Sequence, residues 1–307
     1  MKNVTTIKSL SAAMVAVILI LTSCSKNNDV LNSGDTQNVN SESAADSYTS
    51  ETSDMSTSVV SNITATRYGN GRVAGPITGL GDKDGRLAGA TITITPVPGT
   101  STKDNPSGVI RIDFGAGVTT NGVTRKGAIL ISYAGRKNAG QSTRSLSYDG
   151  YSRNGVVFSN SMLFTIKNIA TQGTVDSTHF NHRLSGGLLT FPDGSTISRE
   201  ADYNVQLDFV AKTLSISADA SATANLHSAT GTTRAGKEYT MDITTPLVYK
   251  AECFATKNYF AASGEKTIKV DNKVTYTINY GDGACDNTVT ISVGGKSATI
   301  TVNGDGN

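Results

Sequence analysis

Long apolar runs are the first thing this sequence lacks. Beyond Leu21 no stretch approaches the ~20 apolar residues that a membrane-spanning helix needs. An excess of positive charge is missing too, since 27 Lys and Arg stand against 25 Asp and Glu. That argues against nucleic acid as a partner, because its recognition depends on a cationic footprint. There is no tryptophan, and there are only three histidines, His179, His182 and His227. Positions three apart on a strand face opposite sides, so His179 and His182 do not form a ligand pair there. No HExxH or other ligand set accompanies them, and they are expected to be exposed or loop residues. No G-x-S-x-G, P-loop or nucleotide-binding pattern occurs. Ser263-Gly264-Glu265-Lys266 matches S-x-x-K, but the companion S-D-N and K-T-G elements are missing. It is read as a turn. The sequence implies no cofactor, no metal and no catalytic residue, and the chain is expected not to be an enzyme.

What is present begins with an address. Lys2 and Lys8 flank the start of an apolar core that runs from Ala12 to Leu21. That core suits a secretory signal peptide over residues 1–23. Leu21-Thr22-Ser23-Cys24 resembles the lipobox of bacterial lipoproteins. The resemblance implies cleavage before Cys24 and acylation of its thiol and new amine. Acyl chains contribute about 0.8 kcal/mol per buried CH₂, so two or three of them anchor firmly. The membrane is then a partner through the N-terminal lipid. Loss of Lys2 and Lys8 brings the formal charge to about zero.

Residues 24–65 read as a polar tether rich in Ser, Thr, Asn, Asp and Glu. Such a segment buries too little apolar surface to offset its ordering entropy. As a flexible coil of ~40 residues it would span about 35 Å. Met55, Val59 and Ile63 recur at i, i+4 and i+8, so a short helix over 44–63 is the alternative to disorder.

From Arg67 onward the period becomes two. Thr91–Thr95, Ile110–Phe114, Tyr203–Phe209, Val274–Tyr280 and Val289–Val293 all alternate apolar with polar side chains. Antiparallel strands with one dry face and one wet face give this pattern. Pro192-Asp193-Gly194, Asp271-Asn272-Lys273 and Gly294-Gly295 separate strands with residues that accept positive φ. The expected fold is all-β, hairpin after hairpin, as a β-sandwich or as one long curled sheet. Residues 66–250 form the main domain, and 251–307 a C-terminal hairpin module.

Cys253 and Cys285 are the thiols left after Cys24. An exported protein meets an oxidising compartment, and a Cys253–Cys285 disulfide is the expectation. Asp82-Lys83-Asp84-Gly85 and Asp282-Gly283-Ala284-Cys285-Asp286 resemble fragments of calcium loops but lack the full acidic set and distal Glu. They are read as turn caps. One loop, 147–155, places Tyr148, Tyr151 and Arg153 among glycines. A strand edge plus turn explains those letters, and a ligand loop that stacks on sugars is the alternative.

Together the lipobox, the polar stretch, Gly108–Gly115 followed by Arg125-Lys126-Gly127, and the ending Tyr280-Gly-Asp-Gly-Ala-Cys-Asp-Asn287 resemble uncharacterised outer-membrane lipoproteins of Bacteroidota. The resemblance implies an outer-membrane lipid anchor, on the periplasmic or the cell-surface face, and no particular activity. It also makes Asp176-Ser177-Thr178 a candidate O-glycosylation motif at Ser177. The function expected is non-enzymatic binding or scaffolding at the cell envelope, with a glycan or an envelope protein as partner. The alternatives are a glycan-acting hydrolase and a periplasmic lipid carrier, the latter if a curled sheet leaves an apolar groove open.

Overall fold

The computed structural model describes residues 33–67, 75–77, 81, 84–99, 101–102, 104–135, 141–169, 177–219, 227–255, 260–286 and 288–301. It opens with one long helix, α1 (Ser33–Arg67). The strands that follow are β1 (Gly75–Ile77), β2 (Thr91–Pro96), β3 (Ser107–Asp113), β4 (Val118–Thr120), β5 (Val123–Ala134) and β6 (Thr143–Arg153). Next come β7 (Val156–Phe158), β8 (Leu163–Asn168), β9 (Ser177–Thr190), β10 (Thr196–Asp208), β11 (Thr213–Ala218), β12 (Ala229–Thr232) and β13 (Glu238–Lys250). A one-turn helix, α2 (Ala251–Ala255), precedes β14 (Ser263–Val270), β15 (Val274–Asp282), β16 (Thr288–Val293) and β17 (Lys296–Thr301).

The seventeen strands form a single antiparallel sheet. Its path, read from the register, is β1–β2–β3–β5–β6–β8–β9–β10, then β11 and β12 end to end in one position, then β13–β14–β15–β16–β17. The short strands β4 and β7 pair against β5 and β6. Of the two all-β forms left open by the sequence, this is the long curled sheet. The segment 251–307 continues the same sheet through β13 and β14. The turns are as expected: Asp271 and Asn272 join β14 to β15, and Gly294 and Gly295 join β16 to β17, all at positive φ.

One face of the sheet is mainly apolar, interrupted by the buried Arg125, Arg199 and Lys266, and its apolar side chains fall into one buried cluster that also contains Ala45, Tyr48, Met55, Val59 and Val60 of α1. The helix therefore lies in the concave face of the sheet. The stretch 44–63, read as helix or disorder, is inside it. At about 100° per residue, the buried positions from Met55 through Val59 to Glu42 and Ser53 cover roughly 160° of its circumference, with half-buried Glu51 at one edge. Ser50 and Asp54 line the exposed strip. A helix enclosed on so wide an arc has no single apolar face, which is why a stripe of three residues was the only sequence signal.

Cys253 of α2 and Cys285, just after β15, are joined by a disulfide with Cα atoms 5.0 Å apart. The loop closed is 32 residues long in sequence separation. Such a cross-link stabilises by about 3–4 kcal/mol in the chain-entropy account. Beside it the Lys250 ammonium donates to the Gly283 carbonyl at 2.7 Å.

Candidate functional site

The chemistry of this molecule is concentrated where α1 meets the concave face. Glu42 is 0% exposed and ion-pairs with Arg199 of β10 and, at 2.5 Å, with Lys266 of β14. Arg199 also donates to Asp46 at 2.8 Å, one turn along the helix. A carboxylate and two cations buried together exchange a large desolvation cost for mutual attraction. Burial alone would raise the Glu42 pKa, but Lys266 and Arg199 outweigh it and bring it down to about 2. Burial likewise opposes charge on Lys266, and Glu42 more than restores it, so its pKa lies well above the ordinary value. The aromatic wall beside them includes Tyr239, whose hydroxyl burial pushes up to about 12.

The second anchor is Glu51. It pairs with Arg125 of β5 and, at 2.5 Å, with Arg153 of β6. Arg125 and Arg153 are direct cross-strand partners. Like charges opposite one another are unfavourable, and here one carboxylate lies between them. The Arg125 Nε and the Tyr151 hydroxyl are buried without a hydrogen-bond partner. Next to the second anchor the Thr52 and Tyr148 hydroxyls share a hydrogen bond at 2.7 Å. Farther along, Arg144 of β6 donates to the Thr57 hydroxyl at 3.0 Å, and burial lowers its pKa to about 10.

These observations correct the reading of 147–155 as a candidate ligand loop. Tyr148 and Tyr151 are both buried, within strand β6. Three residues apart, they should face opposite sides of a strand. A bulge at Gly127 and Gly150 shifts the register between Lys126 and Ala128 and restores the phase, so both rings point inward. A Cβ on Gly127 would lie 2.2 Å from the Gly150 carbonyl oxygen, so the close approach requires glycine. Both tyrosine rings then pack against Phe158 with centroids 4.9 Å away, Tyr148 tilted and Tyr151 edge-on. Arg153, the third residue of the supposed loop, packs over the Tyr48 ring at 5.1 Å.

The other sequence candidates are scattered. Lys266 stands inside β14 facing α1, not in a turn. His179 is exposed, whereas His182 is packed between Phe164 and Tyr203, where desolvation brings its pKa down to about 3. The expectation of exposed or loop histidines thus fails for His182. His227 pairs with Asp242 at 2.9 Å through Nδ1. Asp84 caps a short 3-10 turn and is bound by Arg86, and Asp286 accepts from the Thr288 N–H and hydroxyl. Among the described residues no three His, Cys, Asp or Glu side chains gather as a metal site. Ser177 opens β9, half-buried opposite Asp208, and Asp176 lies outside the described residues. Cys24 does too.

The convex face is different in kind. Across β14 to β17 the register aligns Thr267, Thr277, Ser292 and Ser297 in one row, and Glu265, Asn279, Thr290 and Thr299 in the next. Thr290 and Thr299 are 3.2 Å apart, and Ser292 and Ser297 2.7 Å. Sequence reading missed the concave site because it is assembled from strands and a helix distant in the chain, and the convex rows because they depend on the register between successive strands. No protein-family model, curated protein or solved structure matches this chain.

Proposed function

We propose that this chain is a lipid-anchored protein of the bacterial outer membrane that works by binding or scaffolding and does not turn over a substrate. The observation that carries the reading is the use made of the interior. The buried carboxylate and cations of the concave face, Glu42, Arg199, Lys266 and Arg125, are all consumed in seating α1. A hydrolase needs such groups to converge on an accessible cleft. A lipid carrier needs the furrow open, and α1 fills it. The binding surface that remains is the convex face, with its rows of hydroxyl and amide groups on β14 to β17, chemistry suited to a glycan or a polar protein surface.

The lipobox at Cys24 supplies the anchor. The eight residues 25–32 between Cys24 and α1 reach at most about 28 Å when extended. The body therefore stands close to the headgroups, nearer than a 40-residue coil would hold it. No helix among the described residues is long and apolar enough to cross a membrane.

Three measurements test the reading. Cys24→Ala should release the protein from membranes, and a membrane-retained variant counts against the anchor. Purified protein should bind glycan arrays or envelope extracts in a way lost on Thr290→Arg with Thr299→Arg, substitutions at the exposed rows. Turnover of glycan, peptide or ester substrates, abolished by replacing one carboxylate, would overturn the non-enzymatic reading.

A further inference from the structure

The helix in the furrow buries apolar side chains as a core helix does, and it is also gripped at a few charged points as a ligand is. Three of its inward hydroxyls are spent on its own backbone: Thr49 donates to the Ala45 carbonyl at 2.9 Å, Thr52 to Thr49 at 2.9 Å and Ser56 to Ser53 at 2.7 Å. The polar grip of the sheet falls on a few points, chiefly Glu42 and Glu51. These stand nine residues apart, about 13.5 Å along the axis and about 180° around it. The two carboxylates thus leave opposite sides of the helix, one toward β10 and β14, the other toward β5 and β6. The geometry defines a recognition rule: a helix with two acids at i and i+9, each met by two cations.

We infer that the concave furrow is a recognition site for an acidic helix of this spacing, filled in cis by α1 and in trans by α1 of a second copy. Three observations support exchange. With α1 in place, Arg199, Lys266 and Arg125 have side chains only 3%, 2% and 4% exposed, so any occupant that covers them must bring carboxylates to avoid buried unpaired charge. Any helix with that spacing supplies them. The α1 sequence is rich in Ser and Thr, indifferent helix formers, so it gains its structure from the furrow. Only the seven residues 68–74 link α1 to β1, and they include Gly69 and Gly71. A connection of so few residues limits how the chain can place α1 in its own furrow, the situation in which exchange between copies competes. The preference for cis binding is then one of effective concentration, which a second copy crowded on the same surface opposes. This inference does not depend on the lipid anchor or on the convex face.

The test uses the full chain with a protease site placed within 68–74 and cut after folding. A fluorescent peptide of residues 33–67 is added, and its uptake is followed by anisotropy. The expected result is uptake of the native peptide and at least 100-fold weaker uptake of a peptide carrying Glu42→Gln and Glu51→Gln, about the loss expected on removing a partner from a buried ion pair. No uptake of the native peptide, or equal uptake of both peptides, overturns the site. The uncut chain is measured in parallel by light scattering. Dimers that appear with concentration and disperse on adding native peptide, but not the doubly substituted one, support exchange in trans. A chain that stays monomeric at millimolar concentration overturns that part.

Discussion

Arg199 and Arg111 stand on the same sheet and each holds two carboxylates. Arg199, on the concave face, binds Glu42 and Asp46; Arg111, on the convex face, binds Asp113 at 3.0 Å and Asp149 at 2.9 Å. The contacts are alike, but their consequences differ. The Arg111 side chain is 38% exposed, and water and salt screen its pairs to a fraction of a kcal/mol. Arg199 is sealed between the helix and the sheet, so its partners carry charges that have nowhere else to go. The same letters make a surface on one face and a lock on the other, and dielectric decides which.

Breaking the lock tests this most sharply. Glu42→Gln should destabilise the protein by about 3–5 kcal/mol in urea unfolding, because it leaves Arg199 and Lys266 buried with one fewer counter-charge. The triple variant Glu42→Leu, Arg199→Met, Lys266→Met should recover most of that loss, since well-packed apolar groups commonly replace a buried ion cluster at little cost. If the triple variant is as unstable as the single one, the cluster is more than a mutual neutralisation.

Acid probes the same contrast without mutation. The folded Glu42 pKa, about 2, lies below its ordinary value of 4.5. Its contribution is therefore complete above pH 4.5 and is lost as pH falls through 2. The size is about 3 kcal/mol, from the 1.36 kcal/mol that each pKa unit represents. His182 acts in the same direction. Its pKa is lowered from 6.5 to about 3, so acid must force a charge into an aromatic setting. Chemical denaturation between pH 7 and 2 should show stability falling steadily, and a flat profile would contradict both assignments.

Smaller effects should follow at the margins of the lock. Thr52→Val removes the partner of the Tyr148 hydroxyl and should cost about 1–2 kcal/mol, read as a lower denaturation midpoint at unchanged slope. Arg111→Ala should cost under about 1 kcal/mol, and the difference should vanish in 1 M salt. A salt-insensitive loss at Arg111 would mean that the convex pairs are not surface pairs at all.

The class of fold was legible because alternation is local. Ile110, Ile112 and the 289–293 run each state their own dry face, and the glycine and asparagine turns state where the chain reverses. The Cys253–Cys285 pair was legible because only two thiols are left after Cys24, and the expectation of export made pairing their default. Register defects were not. Gly150 looks like a loop residue in the sequence, and only its pairing with the Gly127 region shows a bulge that turns Tyr148 and Tyr151 inward. Lys266 in Ser263–Lys266 has no neighbour in sequence that predicts burial, because its counter-charge, Glu42, lies 224 residues away.

The sequence by itself determined that this chain alternates, turns and cross-links as an antiparallel all-β protein, since those properties depend on residues a few positions apart. Only the tertiary structure decided what fills the curve of the sheet. A Ser- and Thr-rich segment with weak helix preference becomes a 35-residue helix because the concave face surrounds it and supplies cations at the two depths where its glutamates point. Burial of a charge is settled by what arrives opposite it, and that is a property of the folded chain alone.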